Sequence, residues 1–274
     1  MANYICIACG VAYGDSETPP DECGICLDER QYVHPEGQQW TTMGELRHDY
    51  SNAVRAEGPG LTGIGTEPSF AIGQRALLVQ SPAGNVLWDC ISLVDSATVS
   101  AVQERGGLAA IAISHPHFYA SMVEWSRAFG GVPIYLHADD RRWVMHHDPA
   151  LVYWSGDSHA IAPGLTLVRC GGHFDGSSVL HWGAGAGGGG ALLSGDTIMV
   201  ARDRRHVSFM YSYPNFIPMA PAAVRRIVSA VEPFPFEQIY GGWFGFNIMA
   251  GAKDVLGHST ERYLKAIGAA SRGA

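Results

Sequence analysis

Four of the six cysteines fall within the first 26 residues, as Cys6-x2-Cys9 and Cys23-x2-Cys26 with 13 residues between the pairs. Thiolates so spaced satisfy a tetrahedral ion completely and leave no open position, the mark of a structural or an electron-transfer site. Gly10 and Gly24 sit beside the ligands, where a tight backbone turn brings amides toward sulfur. Thr18-Pro19-Pro20 marks the turn between the pairs. The start, Met1-Ala2-Asn3-Tyr4-Ile5-Cys6, has neither a basic cluster nor a long apolar stretch, so a cytoplasmic, reducing location is expected. In such a compartment metal binding is expected of these cysteines, not a disulfide framework. A segment this small has little core and is expected to fold around its ion, zinc or iron. Cys90 and Cys170 lie in apolar runs and read as buried packing residues.

Composition narrows the remainder. With 18 basic against 26 acidic side chains the net charge is −8, and no basic stripe appears, which excludes broad phosphate-backbone binding. At 47% apolar the 274 residues can bury a substantial core, while the mean hydropathy of +0.02 argues against a membrane span. A polar stretch, Pro35 to Gln39, suggests a small N-terminal module over 1–36 and a larger domain over 37–274. The larger part has an α/β pattern. Ala76–Gln80 and Asn85–Asp89 read as a hairpin, and Leu108–Ile113, Val132–Leu136, Leu165–Arg169, Ser178–Trp182, Ala191–Ser194 and Gln238–Tyr240 as strands. Ser96–Arg105, with Ser96 as cap, Ala120–Phe129, Ala222–Val231 and Thr260–Ala270 read as helices. Gly183 to Gly190 reads as a hairpin loop, since neither a helix start nor Lys-Ser/Thr follows to make a phosphate cradle.

The chemistry concentrates at strand ends. His115-Pro116-His117 follows one apolar strand, Gly171-Gly172-His173 another, and Ser194-Gly195-Asp196 a third. An extended His-Pro-His segment projects both imidazoles to one side, within reach of one ion. Three imidazoles and a carboxylate suit zinc, and also ferrous iron or manganese.

In order and spacing, the Asp89 strand, Ser114-His-Pro-His117, Gly171-Gly-His173 and Leu193-Ser-Gly-Asp-Thr197 make the chain from about Gly60 onward resemble the metallo-β-lactamase-fold hydrolase superfamily. Tyr4-Ile-Cys-Ile-Ala-Cys-Gly and Cys23-Gly-Ile-Cys26 likewise resemble rubredoxin-like or zinc-ribbon modules. The first resemblance implies an αββα sandwich, with His115, His117 and His173 on one metal, zinc or iron, and Asp196 as a further ligand. Two departures imply a single ion. The family's His-x-His-x-Asp-His here ends in Tyr119-Ala120, and Trp243 stands in the stretch of its last histidine. His258 reads as an exposed residue at a helix entry.

The resemblance implies a metal-dependent hydrolase acting on an ester, a lactone or a related bond of a small-molecule substrate. Asp196 would hold the attacking water, and Tyr119 could donate to a developing oxyanion. Arg202-Asp-Arg-Arg-His206 could attract an anionic substrate, and Tyr211–Phe216 with Trp243–Phe246 could wall an apolar pocket; solvated-loop and core-packing roles account for them as well. Two other function classes stay open: a mononuclear non-haem iron oxidoreductase served by the four-cysteine module, and a non-catalytic scaffold. An exposed edge or aromatic patch could support a homodimer.

Overall fold

The computed structural model describes residues 2–269, in two compact units that divide between Trp154 and Ser155. The first unit is built on seven strands that lie side by side in chain order: Ser51–Gly58, Leu61–Glu67, Arg75–Val79, Val86–Trp88, Ala110–Ala112, Ile134–His137 and Leu151–Trp154. The first four pair antiparallel, and from Val86–Trp88 onward the pairing is parallel. Parallel neighbours need crossovers, which the helices Ser96–Glu104 and Met122–Ala128 supply. Arg75–Val79 and Val86–Trp88 are buried at every position, the signature of strands covered on both faces.

The four-cysteine segment belongs to this unit. Tyr4–Cys6 pairs antiparallel with Trp40–Thr42, and Ile5 and Ala12 share an apolar cluster with Leu46, Phe70 and Leu93. Two bonds fix it further: the Ser92 hydroxyl donates to the Gly10 carbonyl at 2.7 Å, and the Ala12 amide to the Ala120 carbonyl at 3.0 Å.

The second unit carries six strands, Ser158–Ala162, Leu165–Arg169, Ser178–Trp182, Ala191–Gly195, Gln238–Gly241 and Asn247–Ile248, adjacent in that order. Only Ala191–Gly195 and Gln238–Gly241 pair parallel. The helix Pro221–Val231 between them buries Val224, Ile227 and Val231, spaced three and four apart as one helical face requires. That face joins a cluster with Val168, Leu192, Ile239 and Leu256. Two short hairpins, Met199–Val200 with Val207–Ser208 and Met210–Ser212 with Ile217–Pro218, follow the Ala191–Gly195 strand. No described helix is long and apolar enough to cross a membrane.

Several expectations shift. The helix at 96 is capped by Asp95, whose carboxylate accepts from the Thr98 amide at 2.7 Å; Ser96 is its first residue. The helix expected from Ala120 starts at Met122, because Ala120 has φ +44° and Pro116–Phe118 forms a 3-10 turn ahead of it. The last helix starts at Ala252, not Thr260. Ala252, Leu256 and Ser259 form a buried face that runs through Gly257, and His258 is an exposed mid-helix residue. Ala270, its expected end, lies outside the described residues.

The strands Ser51–Gly58, Leu61–Glu67, Leu151–Trp154 and Ser158–Ala162 had no counterpart in the sequence reading, nor had the helix Met43–Asp49. Thr42 and Glu45 make a capping box on that helix, a pattern present in the sequence.

Gly10 tests the seat of the cysteine segment. It holds φ +80°, and a Cβ there would lie 2.5 Å from the Ser92 hydroxyl oxygen; Gly37 holds φ +93° in open space. Gly37→Ala should cost about 1–2 kcal/mol through backbone strain alone. Gly10→Ala should cost more, because the clash adds to the strain. Urea unfolding midpoints of the two variants compare them directly.

Candidate metal centres

Two groups of side chains, each offering one donor atom per residue within 4.8 Å of the others, could hold an ion: Cys6, Cys9, Cys23 and Cys26, and His115, His117, His173 and Asp196. All eight residues are buried.

In the cysteine group the Sγ atoms of Cys6 and Cys26 are 3.5 Å apart and those of Cys9 and Cys23 3.7 Å. Tetrahedral Zn–S bonds of about 2.3 Å would place sulfurs about 3.8 Å apart, so the set fits an ion with little adjustment. Mutual thiol hydrogen bonds, from Cys23 first, pull Cys6 down, while burial pushes Cys9 up. Four buried thiolates at these distances repel one another, so ionising all of them needs a cation. Gln38 Nε2 donates to Cys6 Sγ at 3.2 Å, and the Gly24 amide donates to the Tyr13 hydroxyl at 2.8 Å. Both bonds orient the turns that carry the ligands.

The histidine group is assembled from loops just past strand ends. Ser114, after Ala110–Ala112, donates its amide to Asp89 Oδ1 at 2.7 Å, and Asp89 itself donates its amide to the Ala112 carbonyl at 2.8 Å. Asp89 holds φ +61° and is 1% exposed. It acts as a brace on the next loop. The backbone is extended only at His115; Pro116 opens a 3-10 turn that carries His117. The expected extended His-Pro-His is therefore corrected: proline at the first position of a turn suits its fixed φ, and the two rings stand 5.2 Å apart all the same. The Ser114 hydroxyl lies 2.9 Å from His115 Nδ1.

His173 follows two left-handed glycines, Gly171 (φ +66°) and Gly172 (φ +87°). A Cβ on Gly172 would lie 2.9 Å from Met219 Sδ, so that position admits no larger residue without displacement. His173 Nδ1 lies 2.9 Å from the Tyr211 carbonyl. A carbonyl only accepts, so Nδ1 carries the proton and Nε2 is left as the donor atom. That Nε2 is 3.8 Å from Asp196 Oδ2, near the roughly 3.4 Å expected of two ligands on one tetrahedral zinc. Asp196 is 4% exposed, and its carbonyl accepts from the Tyr213 hydroxyl at 3.2 Å.

Tyr119 follows the 3-10 turn that carries His117. It is 2% exposed, and its hydroxyl donates to the Asp140 carbonyl at 3.5 Å. Burial pushes its pKa up. That contact supports the His117 turn. In the Arg202–His206 loop, Arg202, Arg204 and Arg205 are all exposed, and His206 Nδ1 lies 2.7 Å from Asp203 Oδ2, so the solvated-loop reading describes it. Cys90 and Cys170 are buried as expected.

One pair escaped the sequence reading. Arg30, 7% exposed, binds Asp28 through Nε at 2.5 Å and Nη2 at 2.8 Å. Burial first, and the Arg30 charge second, lower His115 to about 3. Within Asp28-Glu-Arg30 nothing in the sequence distinguishes this pair from a solvated charge run.

The fold is that of the metallo-β-lactamases. Among solved structures similar to this chain are TMB-1 (TM-score 0.59, 16% identity, covering 79% of this chain and 99% of that one) and VMB-1 (0.57, 14%, 79% and 98%). FIM-1 from Pseudomonas aeruginosa in its mono-zinc form is a third (0.56, 17%, 78% and 96%). No family model matches the chain. Over 269 residues it is 46% identical to the uncharacterized protein YmaE of Bacillus subtilis (strain 168), covering 97% of each. The chain belongs to the same family as YmaE.

Two measurements follow. Replacing Cys6 and Cys23 by serine should release the ion of the cysteine group and expose the N-terminal segment to protease; unchanged metal content and resistance would contradict that site. Imidazole in an unfolded chain titrates near 6.5. A neutral, buried His115 therefore makes the metal-free chain lose stability as pH falls from about 6.5 toward 3, because only the unfolded state gains that proton. Urea midpoints at pH 7 and pH 5 should converge in His115→Gln.

Proposed function

We propose that this chain is a metal-dependent hydrolase with a single-ion centre on His115, His117, His173 and Asp196, acting on an ester, a lactone or a related bond of a small molecule. The observation that carries the reading is the buried convergence of three imidazoles and one carboxylate. The fold adds support, as does the mono-zinc form of FIM-1, whose fold is similar. Tyr119 and Ala120, in place of an Asp-His pair, supply neither carboxylate nor imidazole for a second ion. Zinc is the ion we assign to both groups, since nitrogen, sulfur and carboxylate donors in fours match its preference.

When bound, such an ion supplies Lewis acidity, polarising a carbonyl and bringing a water toward neutral pKa. The chain's own residues do the rest. His173, fixed in one tautomer by Tyr211, presents Nε2. Ser114, held by Asp89, keeps the His115 ring in place. Asp196 accepts the hydrogen bond of the attacking water at a carboxylate oxygen and so orients it. Tyr119 acts as a support of the His117 turn.

Protein purified without added metal should contain about two zinc ions per chain, one for each group. His173→Ala should lose one of them, keep the cysteine-bound ion, and lower hydrolysis of 4-nitrophenyl acetate or an aryl lactone by about a hundredfold or more. Wild-type turnover or full zinc content in that variant would sink the proposal. Red protein with thiolate-to-iron absorption would point to the oxidoreductase reading, and an ion on the cysteines alone to a scaffold.

A further inference from the structure

The helix Pro221–Val231 buries Val224, Ile227 and Val231, and a neighbouring face carries Arg226, Ser229 and Ala230. With Pro233 and Phe234 just past the helix, these three form one wall of a cleft of about 510 Å³. Asp157, Ser158, Val168 and Arg169, at the ends of the antiparallel pair Ser158–Ala162 and Leu165–Arg169, form the other. Every lining residue lies in the second unit, and the volume is that of a small-molecule site.

The cleft sets an apolar wall beside two cations. Val168 is 2% exposed, and the partly buried Phe234 ring stands 5.0 Å from that of His181. Arg169 Nε donates to the Asp175 carbonyl at 3.0 Å. Arg226 makes no hydrogen bond or ion pair among the described residues. Its head group nevertheless has a seat: a Cβ on Gly171 would lie 3.0 Å from Arg226 Cζ, so the guanidinium rests on a position that glycine leaves open. In a chain of net charge −8, two arginines here share the cleft with one acid, Asp157. One positive charge is left over, and a single monoanion balances it. A guanidinium presents a planar fork that a carboxylate matches with two parallel bonds.

We propose that this cleft is a second binding site, apart from both donor groups, for a small organic monocarboxylate. The carboxylate pairs with Arg226, and its apolar portion lies along Val168, Ala230 and Phe234. Such a site needs no ion at either donor group, so it stands or falls independently of the hydrolase reading.

Isothermal titration of the full-length protein with 4-phenylbutanoate tests the site. Arg226→Gln should weaken binding about tenfold, the order of one charge-assisted pair, and Arg226→Lys should fall between. Ser229→Glu puts a carboxylate three residues from Arg226 on the same helix face, and should weaken the probe likewise by occupying the guanidinium. Both positions are exposed, so these variants should unfold at the wild-type midpoint, which separates lost binding from lost fold. 4-Phenylbutan-1-ol, which lacks the charge, should bind about tenfold more weakly than the acid. No saturable binding by wild type, or equal binding by wild type, Arg226→Gln and Ser229→Glu, would overturn the site. So would binding that His173→Ala abolishes and Arg226→Gln retains, since the carboxylate would then sit at the histidine centre. Tighter binding of 3-phenylpropyl phosphate than of 4-phenylbutanoate would overturn the assignment of a monocarboxylate.

Discussion

A carboxylate buried among imidazoles is the constraint around which this protein is organised. Asp196 is 4% exposed, and His173 and His115 are 0% and 1% exposed. Removing such a charge from water costs several kcal/mol unless hydrogen bonds or a cation compensate. His115 cannot offset it as a cation, because burial, aided by the Arg30 charge, lowers its pKa to about 3. A divalent ion would satisfy all four groups together. The same reasoning applies to the four thiols, with sulfur spacings already near those of a tetrahedral site.

Holding donors ready costs conformational entropy, which the structure offsets with main-chain bonds from neighbouring loops. Asp89 clamps Ser114, Tyr211 fixes His173, and Tyr213 holds the Asp196 backbone. None of these three is itself in the donor set. The N-terminal segment takes part as well: its Ala12 amide bonds Ala120, three residues past His117, and its Gly10 carbonyl accepts from Ser92. A four-cysteine segment tied in this way supports the histidine loop mechanically, whatever ion it holds.

Legibility in the sequence followed the range of the interaction responsible. The hairpin at 75–88, the strands at 165–169 and 178–182 and the helix at 221–231 rest on local apolar periodicity, and the reading found them. Ser51–Gly58 and Leu61–Glu67 were not found, since Gly58, Gly63 and Gly65 interrupt the pattern and pairing along the sheet supplies what propensity does not. The last helix is expected only from Thr260, whereas the buried face of Ala252, Leu256 and Ser259 carries it through Gly257 from Ala252. Phe216 was seen only as part of an aromatic run; its exposure and left-handed backbone depend on a hairpin that no periodicity announces.

By itself the sequence determined the two candidate donor sets, the fold class and the place of each histidine and aspartate donor beyond a strand end, because donor chemistry and strand–loop alternation are written in residue type and spacing. Only the tertiary structure decided the His173 tautomer, the neutral state of His115, the Tyr119 contact with Asp140 and the seat of the cysteine segment against Ser92 and Ala120. Each of those depends on a partner 21 to 108 positions away or on burial, and distance along the chain carries no information about distance in space until the sheets have formed.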